Sequence, residues 1–96
     1  MIVVTGTGIV SAIGTNTSEV ANALLEDVSG IAPVSFLQTQ HRQMPVGEVK
    51  LSNEQLAQRL CIVSTDNTSR TMLLGTLALR EALAMAGIKD DELEVV

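Results

Sequence analysis

Apolar positions come in short bursts along this chain, and the spacing within each burst predicts an element. Ile2, Val3 and Val4 form a continuous β-branched run, which predicts a strand covered on both faces. Gly6, Gly8 and Gly14 follow, where the backbone must turn or come close to another segment. Val20, Leu24 and Val28 then recur at helical spacing, so residues 16–28 predict a first helix. Asn16 or Thr17 caps it, Glu19 completes a capping box with Asn16, and Ser29-Gly30 stops it.

Residues 31–45 show no period beyond the apolar pair Phe36-Leu37, and predict a surface excursion. Residues 46–51 alternate, with Val49 and Leu51 on one side and Glu48 and Lys50 on the other, as in a half-exposed strand. Pro45 suits its first residue. Ser52 and Gln55 form a second capping box, opening a short helix that carries Leu56 and Leu60. Residues 64–69 are polar and turn-like.

The third helix, about residues 69–86, has Thr68 or Ser69 as its cap and Gly87 as its end, with Ile88 closing the last turn. Residues 72–79 leave it almost no polar face, which predicts a helix buried all round. Gly75, Ala78, Ala82 and Ala86 make a small-residue stripe, suited to a close backbone approach. Asp90, Asp91 and Glu92 predict a turn, and Leu93, Val95 and Val96 the start of another strand.

Burying one Leu fully is worth roughly 1.5–3 kcal/mol, and the third helix carries Leu73, Leu74, Leu77, Leu79 and Leu83. The remaining elements are too few to cover it, so the 96 residues are expected to be part of a larger folded unit.

Charge and composition narrow the function classes. A net charge of −5, with no basic cluster longer than His41-Arg42, argues against nucleic acid and anionic membranes as partners. Cys61 is the one cysteine, so no internal disulfide forms and a reducing compartment fits. The N-terminus lacks a secretory signal, and no apolar run approaches the ~18 residues of a membrane span. The expectation is a soluble, cytoplasmic chain.

Gly6-x-Gly8-x-x-Ser11 opens like a dinucleotide fingerprint, but serine stands where the third glycine belongs. A dinucleotide-binding oxidoreductase fragment is one alternative. Cys61 has apolar neighbours at a helix end and is expected to be a buried core thiol. His41 is expected to be plain surface, and the acidic end a solvated turn. No metal-ligand spacing is present. No residue of this chain is therefore assigned a catalytic, cofactor-binding or metal-ligating role.

Two stretches carry a family likeness. The first runs through Thr5-Gly6, Gly8-Ile9-Val10-Ser11, Gly14, Ala23-Leu24-Leu25 and Ser29-Gly30-Ile31. The second runs from Ser69-Arg70 through Arg80-Glu81-Ala82 to Ala86-Gly87-Ile88. Together, in this order, they resemble the opening of the β-ketoacyl-acyl-carrier-protein synthases, condensing enzymes of the thiolase superfamily. Residues 32–64 are only loosely similar. Ala12 stands where the family often has proline, and Val28 where it often has a basic residue.

The resemblance implies an α/β fold, the N-terminal part of a thiolase-like α-β-α-β-α sandwich, in which a buried helix lies between sheets. It implies that residues 1–96 are an incomplete unit of the synthase N-terminal domain. The parent would catalyse decarboxylative Claisen condensation in fatty-acid or polyketide biosynthesis. The family's nucleophilic cysteine, catalytic histidines and lysine match nothing here; neither Cys61 nor His41 sits in their motifs. The implied partners are the remainder of the parent chain or a homologous subunit, an acyl-carrier protein reached through the parent, and a second parent copy in a homodimer. A synthase-like partner subunit without the nucleophile is a further alternative. Arg70, opposed by Asp66, is expected to add little to carrier docking.

Overall fold

The computed structural model describes residues 1–62 and 68–89. Residues 64–67 of the predicted polar turn, and the acidic turn and strand predicted over 90–96, lie outside the described residues. Three helices and one short ribbon follow each other in the order α1 (Thr17–Leu25), β1 (Ala32–Pro33), β2 (Pro45–Val46), α2 (Asn53–Arg59) and α3 (Arg70–Ala86). Helices and a small sheet in one chain agree with the predicted α/β class at that coarse level.

The core lies where α2 crosses α3. Leu56, Ala57, Leu60 and Leu73 are buried there, with Leu51, Ile62, Leu74 and Leu77 packed around them. Both helices start as predicted. The Ser52 hydroxyl accepts from Gln55 N and the Gln55 side chain accepts from Ser52 N, a complete capping box. Ser69 accepts the Met72 N–H at the head of α3.

All three helices close in the same way. The residue after the last turn takes a left-handed backbone, and the next N–H reaches five residues back. Gly87 (φ 74°) does this for α3, with Ile88 N–H donating to Leu83 O at 2.9 Å. Cys61 (φ 59°) does it for α2, with Ile62 N–H on Ala57 O at 2.9 Å. Asp27 (φ 56°) does it for α1, with Val28 N–H on Ala23 O at 2.9 Å.

Four expectations are corrected here. The first helix stops at Leu25, because Asp27 supplies the closing conformation before Ser29-Gly30 is reached. Gly30 is instead buried against Ala12, whose Cβ would lie 2.6 Å from a Cβ at position 30. Cys61 is exposed, because its left-handed turn carries the side chain out of the core.

The predicted strand over residues 2–4 makes no ladder among the described residues, and Ile2 is 100% exposed. The predicted strand over 46–51 shrinks to β2, which pairs antiparallel with β1 in the register Ala32↔Val46 and Pro33↔Pro45. Beyond the facing prolines the chain turns, the Met44 N–H donating to His41 O at 3.2 Å.

The third helix is covered on part of its surface only. Leu73 is fully buried, whereas Leu79 is 54% exposed and Met72 and Met85 are comparably open. Among the described residues no helix is long and apolar enough to cross a membrane.

Candidate functional site

The glycine turn is built against α3. A Cβ at Gly8 would collide with the Ala78 carbonyl oxygen, and one at Gly6 with that of Ala82. The small-residue stripe predicted on α3 is what receives them. Gly75 is the exception, with nothing within 4 Å of the place where its Cβ would be. Ser11 and Gly14 close the turn, Ser11 N–H donating to Gly14 O at 2.8 Å.

Glu81, one position from Ala82, pins this turn to α1. Its carboxylate accepts from Ile9 N at 3.0 Å, from Thr17 N at 2.8 Å and from Thr17 Oγ1 at 3.0 Å. The Thr17 N–H holds the Glu81 carboxyl below the usual carboxylate range. Desolvation opposes that shift, and the Ile9 N–H and the Thr17 hydroxyl reinforce it. Asn16 Oδ1 takes the Glu19 N–H at 2.9 Å. Glu19 reaches back to Thr15 N and Thr15 Oγ1, at 2.7 and 2.9 Å, rather than to Asn16 N. Those Thr15 bonds, backbone first, lower its carboxyl too.

This arrangement lends the dinucleotide alternative no support. A pyrophosphate needs open glycine backbone and free N–H groups at a helix N-terminus. Here Gly6 and Gly8 lie against α3, and at the head of α1 the Thr17 and Glu19 N–H groups already serve Glu81 and Asn16.

A shallow cleft sits at the N-termini of α2 and α3, lined by Phe36, Gln38, Ser52, Asn53, Glu54 and Arg70. Arg70 is half-buried in it. Its guanidinium donates to Asn53 Oδ1 at 2.9 Å and to Val49 O at 3.0 Å, and stands 5.4 Å from the Phe36 ring centroid. It is thus an internal tie; Asp66, the opposing charge expected from sequence, lies outside the described residues.

Beside it, Glu48 accepts from three successive N–H groups, those of Ser35, Phe36 and Leu37, at 2.8 to 3.1 Å. Desolvation raises its carboxyl. The Ser35, Leu37 and Phe36 N–H groups, helped by Arg70, outweigh that and leave it lowered.

His41 is exposed in the loop after Phe36, as expected, and its N–H donates to Thr39 Oγ1 at 3.2 Å. Neither its imidazole nor the Cys61 thiol makes a hydrogen bond among the described residues, so nothing there pairs a base with a nucleophile. No group of His, Cys, Asp and Glu among the described residues could hold a metal ion. Sequence reasoning missed Glu48 and Glu81 as organising carboxylates. Alternation put Glu48 on the wet side of a strand, and Glu81 has no local partner to announce it.

The profile of the β-ketoacyl synthase N-terminal domain matches residues 1–95. No curated relative and no solved structure matches the chain.

Proposed function

The chain belongs to the β-ketoacyl synthase family, and on that premise we propose that it is the N-terminal scaffold segment of a condensing enzyme. The observation that carries this reading is the match of the family's N-terminal domain over residues 1–95. The geometry supports it. The glycine turn, α1 and α3 form one bonded unit through Glu81, while Ile2, Leu25 and Leu79 stand open to a further layer. In a thiolase-like sandwich that layer would come from the rest of the parent chain, and a second parent copy would complete a homodimer.

The parent's reaction is decarboxylative Claisen condensation. The malonyl group on an acyl-carrier protein loses CO2, and the electron pair left behind attacks the thioester carbon of an acyl group held on a cysteine. A carbon–carbon bond forms, the carbon–sulfur bond breaks, and the cysteine leaves as thiolate. Residues 1–96 supply position to this chemistry and no reacting group. The pathway served is fatty-acid or polyketide synthesis.

The test compares the parent protein with residues 1–96 alone, given an acyl thioester and malonyl-acyl-carrier protein. The parent should release CO2 and form the β-ketoacyl product; the segment should do neither. Condensation by the segment itself would overturn its role as scaffold, and a parent that lacks condensing activity would indicate a partner subunit.

A further inference from the structure

Residues 34–44 leave and rejoin the fold at one point, the β1–β2 ribbon, where Ala32 faces Val46 and Pro33 faces Pro45. A surface loop of this length with its ends held together is an Ω-loop. At its base both prolines have a fixed φ, which keeps the two ends in place. Beyond the base the only buried residue of the loop is Val34.

Two side chains hold the first turn of the loop, from opposite sides of its peptide groups. Glu48, from the β2 end, takes the N–H groups of Ser35, Phe36 and Leu37. Arg42, from within the loop, donates to Leu37 O at 2.8 Å and to Val34 O and Ser35 O at 3.4 Å. These bonds are charge-assisted, and so are stronger than neutral ones. The core of Leu56, Ala57, Leu60 and Leu73, with its surrounding residues, includes no residue of the loop. One contact of the loop with the helices is that of Phe36 with Arg70.

We propose that residues 34–44 form a lid, hinged at the Pro33–Pro45 pair and latched by Glu48 and Arg42, that opens without disturbing the α2–α3 core and uncovers the Arg70 guanidinium. The latch is one-sided in sequence: Glu48 lies outside the loop and Arg42 travels with it. Losing Glu48 therefore frees the loop from the body, whereas losing Arg42 loosens the turn that Glu48 grips.

Residue-resolved amide hydrogen exchange on the full chain tests this. Glu48→Ala should speed exchange at Ser35, Phe36 and Leu37 about tenfold or more, with the α2 and α3 amides unchanged. Arg42→Ala should speed the same three amides. Modification of Arg70 by a dicarbonyl reagent should accelerate in Glu48→Ala to a similar degree. Unchanged exchange at the three amides would overturn the proposal. So would a parallel rise through α2 and α3, which would make the loop part of the core. Glu48→Gln, of the same shape, carries the comparison if Glu48→Ala does not fold; failure of both to fold would also overturn it.

Discussion

The Glu81 carboxylate accepts the Thr17 N–H at 2.8 Å across 64 positions of sequence, so one side chain of α3 serves as the anchor of α1. Because Ile9 N–H binds the other oxygen, the same carboxylate fixes the glycine turn.

Acid should loosen this unit. Glu19, Glu48 and Glu81 are all held below the usual carboxylate range by hydrogen-bond donors. In the window between their folded and ordinary values the unfolded chain binds more protons, so stability rises with pH there. Their contribution is complete above the ordinary carboxylate value and is lost as pH falls through the folded values. Glu81→Gln should flatten this acid limb and shift the Thr17 amide resonance. A wild-type limb in the pH dependence of urea unfolding would refute the assignment if Glu81→Gln kept it whole.

The glycines should divide sharply. Gly8→Ala and Gly6→Ala force a methyl onto the α3 backbone and should cost at least the ~1–3 kcal/mol typical of overpacking. Gly75→Ala meets open space inside a helix, so it should stabilise by about 0.8–1 kcal/mol. Urea midpoints at equal m-values measure both. A harmless Gly8→Ala would show that the turn stands off from α3.

Cys61 should behave as an accessible thiol and alkylate readily, since its side chain is exposed. Its left-handed backbone also makes it a better place for glycine. Cys61→Gly should raise stability, by up to about 1–2 kcal/mol if the full left-handed penalty is relieved. Sluggish alkylation of the folded chain would restore the core placement.

Much of this was legible from sequence where the signal is local. The Ser52 and Ser69 caps, the Gly87 terminus and the stripe of Ala78, Ala82 and Ala86 all follow from neighbours within a few residues. What escaped was non-local or conformational. Nothing near Glu48 or Glu81 shows which backbone groups each will receive. Nor do Asp27 and Cys61 resemble glycine, though each takes glycine's role at a helix end. Of the strand expected over 46–51 only Val46 finds a ladder partner, Ala32, a pairing 14 positions away that local alternation does not reveal.

Apolar exposure leads to a fourth expected outcome. Ile2, Val4, Leu25 and Leu79 are each more than half exposed. Residues 1–96 alone should associate as concentration rises, and Leu79→Gln should weaken that association without lowering stability. Light scattering across a dilution series measures it. A monomer at every concentration would mean these side chains need no further cover.

The pairing of the glycine turn with α3 also has a consequence in time. Ile9 and its acceptor Glu81 are 72 positions apart. A ribosome adding ~5–20 residues per second needs about 4–14 s to make that stretch. The segment that carries the glycine turn thus leaves the ribosome before the helix that seats it. Throughout that interval its β-branched run stays available to whatever chaperone, or neighbouring nascent chain, meets it first.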